Sequence, residues 1–291
     1  MADPSILAVL GAGAMGHGIA QVAASAGLVV RIYDLSAEAA AAGQQRIVAA
    51  LDRLVGQGKL SAETAEQTTR RLSATGDLAQ ATADADIIIE AAPENLDLKV
   101  DLLLRAKVAA KPNALLGSNT SSLSITELAR RLQETHRCVG LHFFNPVPVM
   151  ELLEIVRGLD TPDETVQHAE ALARTLGKTP IVIRDFPGFA TSRLGVCIGA
   201  EAMRMLEQGV GSVADIDRAM ELGYRHPMGP LKLTDLVGLD VRLAILEHLH
   251  RELGEVFRPP PLLRQMVRAG RLGKKSGAGF YRWTDAGPLP F

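Results

Sequence analysis

The sequence predicts an α/β protein in which a doubly wound sheet is followed by an all-helical C-terminal domain. Three observations predict it. Short apolar runs alternate with helix-compatible segments from Ile6 to Ile183, the rhythm of strand–helix–strand units. The turn-rich stretch Asp185-Phe186-Pro187-Gly188-Phe189 then breaks that rhythm. Beyond it only helical periodicity remains. The expected boundary therefore divides residues 1–184 from residues 185–291.

The elements follow in order. Ile6 to Leu10 is apolar, ends at Gly11 and reads as a buried parallel strand. Met15 to Ser25 suits a helix that Gly27 stops. Leu28 to Tyr33 is a second strand, ending at Asp34, which completes a strand–helix–strand unit of the usual size. Ser36 is placed to cap an alanine-rich helix running toward Gly56, and Ser61 to cap another. Asp86 to Ala91, Ala114 to Ser118 and Val139 to Phe143 are further strands, with a helix from Leu98 to Ala109. Leu152 to Val156 alternates weakly and is expected at the sheet edge. Thr161-Pro162 opens a helix to Leu176. Thr179 to Ile183 is the last strand. The helices of the second domain break at Gly209-Val210-Gly211, at Gly223 to Pro230 and at Arg258 to Pro261. His226 falls in the second of these breaks and reads as part of an interhelical turn, with no chemistry. Gly270 to Phe291 is expected as an extended tail that Tyr281 and Trp283 pin by packing.

Composition narrows the function. Of 291 residues, 47% are hydrophobic and 22% charged, which suits a packed core. The formal net charge of -2 gives no pull toward nucleic acid or an anionic membrane. No apolar run is long enough to span a bilayer. The start of the chain enters a strand with no basic leader, so a cytoplasmic location is expected. Cys138 and Cys197 sit in apolar runs and read as buried thiols. Neither a disulfide framework nor a metal site is expected from them.

Gly11, Gly13 and Gly16 form G-x-G-x-x-G between a strand and a helix. One glycine permits a tight turn, one lets backbone approach a pyrophosphate, and one lets helix and strand pack closely. The helix N-terminus then offers unpaired N–H groups to the phosphates. Asp34 ends the second strand about 20 residues on, where a carboxylate accepts from ribose hydroxyls and repels a 2′-phosphate. Leu35 and Ser36 follow it rather than an arginine. A Rossmann-type domain binding NAD rather than NADP is expected.

His142 is expected at the C-terminal end of a strand, where doubly wound sheets place their sites. Oxidising a carbinol by hydride transfer needs a base for the hydroxyl proton, and histidine suits that near neutral pH. A carboxylate bonded to the imidazole, such as Glu154 on the next apolar segment, would fix its tautomer and stabilise its protonated form. Spacing alone leaves each as an ordinary structural residue equally well.

Further motifs join these in a fixed order: Gly11-Ala-Gly-Ala-Met-Gly16, Ser118-Asn-Thr-Ser-Ser-Leu123, His142-Phe-Phe-Asn-Pro-Val-Pro-Val-Met-Glu-Leu152, Asp185-Phe-Pro-Gly-Phe189, His226-Pro-Met-Gly-Pro230 and Gly273-Lys-Lys-Ser-Gly-Ala-Gly-Phe-Tyr281. Together they resemble the short-chain 3-hydroxyacyl-CoA dehydrogenases, and within them the bacterial 3-hydroxybutyryl-CoA dehydrogenases, over nearly the whole chain. The resemblance implies that His142 is the catalytic base and Glu154 its partner, that Ser121 bonds the substrate, and that Asn145 lies in the same active-site motif. It implies cofactor contacts from Asp34, Glu94, Lys99 and Lys275, with Ala14, Met15 and Asn119 of the quoted motifs beside them. It further implies an acyl-CoA substrate, and a helical domain that binds substrate in part and forms a homodimer.

Read on their own, Glu94 and Lys99 are surface charges at a helix start. Ser121 and Ser122 are equally caps for a helix beginning near Ser124. Two departures stand out. The family reads Pro-Gly-Phe-x-x-Asn-Arg, whereas this chain carries Ser192 where the substrate-polarising asparagine stands. Only Arg46, Arg53 and Lys59 are basic candidates for the CoA phosphates. Two other readings remain open. One is a dehydrogenase of a free hydroxy acid or a sugar acid such as gulonate. The other is a non-catalytic NAD(H)-binding protein, against which an intact His142–Glu154 pair argues.

Overall fold

The computed structural model describes residues 5–290. Two compact units meet in sequence between Phe186 and Pro187. The first runs β1 (Ile6–Leu10), α1 (Ala14–Ser25), β2 (Val29–Tyr33), α2 (Ala37–Gly56), α3 (Ala62–Arg70), β3 (Leu72–Thr75), α4 (Leu78–Thr82), β4 (Ile87–Glu90), α5 (Leu96–Ala106), β5 (Leu115–Ser118), α6 (Ile125–Leu132), β6 (Cys138–Phe143), β7 (Leu152–Arg157), α7 (Asp163–Thr175) and β8 (Thr179–Arg184). One sheet holds all these strands in the order β3-β2-β1-β4-β5-β6-β7-β8. The order reverses between β1 and β4, the switch point at which doubly wound sheets bind ligands.

The central strands are apolar because both of their faces are covered. Leu7, Val9, Ile19, Val30, Ile32, Ile89, Leu141 and Ile155 belong to one core. Helix starts are set by local chemistry. Ser36 accepts from the Ala39 N–H, Ser61 from that of Thr64, and Asn95 from that of Leu98. Each such cap contributes about 1 kcal/mol.

The structure corrects several sequence expectations. β3 and α4 were not foreseen, because four and five residues carry too little periodicity to read. β7 is not the edge strand, since β8 lies outside it. β6 and β7 are antiparallel, while every other neighbouring pair in this sheet is parallel. The physical reason is the link from Phe144 to Glu151, far shorter than the roughly dozen residues a parallel crossover needs. Ser121 and Ser122 are not caps. Ser124 caps α6, accepting from the Glu127 N–H.

The second unit comprises α8 (Thr191–Glu207), α9 (Val213–Gly223), α10 (Pro230–Val237), α11 (Leu239–Leu253) and α12 (Pro261–Arg268), then β9 (Tyr281–Thr284) and β10 (Gly287–Pro290). Its core gathers Val196, Met203, Leu231, Leu246, Leu249, Phe257, Leu263 and Phe280. The tail is therefore not simply extended, because β9 and β10 pair as an antiparallel hairpin. Two buried carboxylates hold it. Asp235 accepts from the backbone N–H groups of Phe280 and Tyr281 and from Trp283 Nε1, at 2.8, 2.9 and 2.9 Å. Asp217 accepts from the Tyr281 hydroxyl at 2.7 Å. Burial raises the pKa of both carboxyls.

Cys138 is buried, and burial pushes its thiol up to about 12, so it stays protonated; Cys197 is half-buried. Among the described residues no helix is long and apolar enough to cross a membrane. No cluster of three metal-ligating side chains occurs among them.

Candidate active site

The glycines of the first turn divide the labour physically. Gly11 has φ +106°, and a Cβ there would lie 2.8 Å from the Ala91 carbonyl oxygen. Gly16 lets α1 touch the turn itself, since a Cβ would fall 1.7 Å from the Gly11 carbonyl oxygen. Gly13 differs from both, because nothing lies within 4 Å of its would-be Cβ. The protein's own packing does not require glycine at 13, but a group approaching the backbone does. α1 starts there with no side-chain cap and no acidic residue in its first turn. Its leading N–H groups and positive dipole end are left for an anion.

Asp34 completes this half. Its carboxylate accepts from the Ala12 N–H at 2.8 Å and from the Leu35 N–H at 2.7 Å. A carboxylate offers about four acceptor positions, so capacity remains for two hydroxyls. Arg46 Nη1 donates to the Ala12 carbonyl at 3.2 Å. The open Gly13 face, the uncapped helix and the half-buried Asp34 carboxylate together fit the pyrophosphate and ribose of a dinucleotide.

A second cluster stands where β4 and β5 end. Glu90 is fully buried and Lys99 is 1% exposed. Lys99 Nζ lies 2.8 Å from Glu90 Oε1 and 3.4 Å from Glu94 Oε2, and donates to the Ala92 carbonyl at 3.0 Å. Glu90 also accepts from Ser118 Oγ at 2.6 Å and from the Ala92 N–H at 2.5 Å. Burial raises the Glu90 pKa, and Lys99 only partly offsets it. Burial would raise Glu94 too. There the charge on Lys99, the Thr120 hydroxyl and the Ser121 N–H outweigh it and hold the carboxyl below its ordinary range.

Lys99 is thus no surface charge, as its sequence position alone suggested. It is the buried centre of an ionic knot. Glu94 gathers the loop after β5, accepting from the N–H groups of Ser121 and Ser122 at 3.0 and 3.1 Å and from Ser121 Oγ at 3.3 Å. Sequence reasoning missed Glu90. Its only signal was a carboxylate closing the otherwise apolar run Ile87-Ile-Ile-Glu90.

The third group comes from the β6–β7 hairpin. His142 and Glu154 face each other directly in its register. Their side chains meet at 2.7 Å, Nδ1 to Oε2. Glu154 is fully buried and His142 is 6% exposed. An ionised Glu154 accepts only, so Nδ1 carries the proton and Nε2 is left with its lone pair. The Phe144 ring lies 4.4 Å from the imidazole. Asn119 Oδ1 accepts from the Phe143 N–H at 2.9 Å, tying the end of β5 to this strand. Asn145 follows, exposed at the strand's end. α1 also reaches this region, as a Cβ on Gly18 would meet Val147 at 2.9 Å.

The first unit therefore brings Gly11, Gly13, Gly16, Asp34, Glu94, Lys99, Asn119, Ser121, His142 and Asn145 to the carboxyl edge of one sheet, with Glu154 across the hairpin. Ser192 and Lys275 belong to the second unit. Ser192 is half-buried in the first turn of α8. Lys275 Nζ pairs with the Asp240 carboxylate at 2.6 Å.

Comparison with known proteins decides what this assembly belongs to. The profile of the 3-hydroxyacyl-CoA dehydrogenase NAD binding domain matches residues 6–186, and that of the C-terminal domain matches residues 188–283. The chain belongs to the 3-hydroxyacyl-CoA dehydrogenase family. It is an enzyme, an NAD-dependent dehydrogenase. Among its family relatives, a probable 3-hydroxybutyryl-CoA dehydrogenase of Bacillus subtilis is 46% identical over 278 residues, covering 95% of this chain and 96% of that one. The 3-hydroxybutyryl-CoA dehydrogenase of Bradyrhizobium diazoefficiens is 42% identical over 283 residues, covering 97% and 96%. The crystal structure of (S)-3-hydroxybutyryl-CoA dehydrogenase from Ralstonia eutropha superposes with a TM-score of 0.93 at 42% identity, covering 97% and 100%.

Proposed function

We propose that this dehydrogenase interconverts (S)-3-hydroxybutyryl-CoA and acetoacetyl-CoA, with His142 as acid and base and Glu154 as its partner. The observation that carries the reading is the buried 2.7 Å contact between His142 Nδ1 and Glu154 Oε2. A binding protein has no use for an imidazole held against a buried carboxylate beside a dinucleotide turn. An acid–base catalyst does.

The dinucleotide, held by Gly13, the start of α1 and Asp34, supplies the hydride acceptor. The chain's own residues handle the proton. His142 Nε2 takes it from the C3 hydroxyl as the carbonyl forms. The imidazolium is then stabilised by Glu154, whose charge acts strongly because both groups are shielded from water. In reduction His142 returns the proton to the C3 oxygen. Ser121 and Asn145 are assigned to the substrate's oxygens, and Glu94, Lys99 and Asn119 to shaping the cofactor side. Ala14, Met15 and Lys275 are assigned cofactor contacts, and Ser192 a substrate contact through its hydroxyl.

The second unit is assigned substrate binding and homodimerisation. Its support is the apolar surface on successive helices. Leu194 and Ile198 on α8, Leu233 and Leu236 on α10, and Val241 on α11 are all exposed. A cytoplasmic location belongs to the same proposal.

NADH absorbance tests the activity. It is followed with acetoacetyl-CoA, then with free acetoacetate, then with neither. The expected result is oxidation with the thioester, faster than with the free acid by ~100-fold or more in kcat/KM. A preference for the free acid would overturn the CoA assignment. Tight NADH binding with no turnover of any substrate would overturn catalysis.

A further inference from the structure

The ionic knot at the ends of β4 and β5 holds one carboxylate more than its charge balance requires. Lys99 Nζ stands 2.8 Å from Glu90 Oε1 and 3.4 Å from Glu94 Oε2. Two carboxylates thus share a single ammonium. Among the described residues no second basic side chain pairs with either of them. Glu94 opens toward solvent, its side chain 37% exposed, whereas Glu90 and Lys99 are buried. A buried carboxylate in excess of its counter-charges is costly.

Hydrogen bonding alone does not explain a glutamate at 90. Its Oε1 accepts from Lys99 Nζ and from the Ala92 N–H, and its Oε2 from Ser118 Oγ. A glutamine would keep all three contacts. Its Oε1 would accept the first two, and its Nε2 would donate to the Ser118 hydroxyl, which accepts as readily as it donates. Lys99 would still have Glu94 as its counter-charge. Only the additional negative charge needs glutamate. Each of these contacts brings a donor to the carboxyl, which favours its ionised form.

The place of this charge gives it a use. A dinucleotide lies across the switch point, between β1 and β4. Asp34, at the end of β2, is assigned to a ribose on one side. His142, on β6, is assigned the proton released at C3. The ring that exchanges the hydride therefore belongs between them, over the ends of β4 and β5, whose final residues are Glu90 and Ser118. That ring is positively charged when oxidised and neutral when reduced. A fixed negative charge beside it attracts the first form and not the second.

We propose that Glu90 makes the knot net negative and so shifts the site's preference toward the oxidised dinucleotide. Glu90 acts by its charge and through Lys99 and Glu94, not as a catalytic residue. The inference rests on the dehydrogenase reading above and deepens it at the cofactor.

The test measures Kd for NAD and for NADH at fixed ionic strength, in wild type and in Glu90→Gln. ADP-ribose, which lacks the nicotinamide ring, serves as the control. Glu90→Gln should raise the ratio of the NAD Kd to the NADH Kd by ~5-fold or more, with the ADP-ribose Kd within ~2-fold of wild type. Glu94→Gln removes the same unit of charge at the exposed end of the knot and should move the ratio the same way. It decides the matter if the buried variant does not fold. An unchanged ratio in the folded variants overturns the proposal. So does equal weakening of all three ligands, which would leave Glu90 a purely structural role. A wild-type protein that binds both dinucleotide forms yet turns over no thioester would strike the proposed reaction instead, while the ratio still judges this inference.

Discussion

Asp34 and Glu154 are carboxylates of the same sheet, and they are held in opposite ways. Asp34 is half-buried and accepts two backbone N–H groups, with lone pairs to spare toward solvent. Glu154 is fully buried and spends one oxygen on the His142 imidazole at 2.7 Å. The first arrangement suits hydroxyls that arrive with a ligand and leave with it. The second suits a positive charge that exists only while a proton is in transit. Exposed ion pairs contribute little, whereas a pair shielded from water is strongly coupled. Burial, more than residue type, separates a carboxylate left open to a ligand from one committed to a buried imidazole.

The same contrast runs through the glycines, and there it is broken or sharpened with the largest effect. Gly16→Ala forces a Cβ to within 1.7 Å of a carbonyl oxygen, so backbone must move. We expect a loss of ~3 kcal/mol or more of stability, or no folded protein. Gly13→Ala meets nothing within 4 Å, so it should fold normally but bind NADH at least ~10-fold more weakly. Thermal melts with NADH titration separate the two. Similar behaviour in both variants would erase the division between packing and ligand-facing glycines. Asp34→Ala should act more mildly, raising the KM for NAD by ~10-fold with little effect on kcat. It should also relax discrimination against NADP. An unchanged NAD to NADP ratio would remove Asp34 from the ribose.

How much of this was legible in the sequence depends on how local the information is. The turn from Gly11 to Gly16 and Asp34 are spelled out within one strand–helix–strand unit. His142 and Glu154 were both legible as candidates. Their direct opposition was not, because it depends on β6 and β7 forming a hairpin rather than a parallel pair. Lys99 looked like any helix-start charge, since sequence does not state that Glu90 closes over it from the neighbouring strand. Asp217 and Asp235 likewise turn the tail into an anchored hairpin through contacts with residues more than forty positions away. Buried polar networks joining distant elements have no periodicity to betray them.

If His142, poised by Glu154, moves the proton while other residues hold the dinucleotide, then His142→Gln separates the two tasks. Its turnover of acetoacetyl-CoA, measured beside its NADH affinity, should show kcat lower by ~10³-fold with the Kd for NADH within about threefold of wild type. A variant that turns over near the wild-type rate would contradict it.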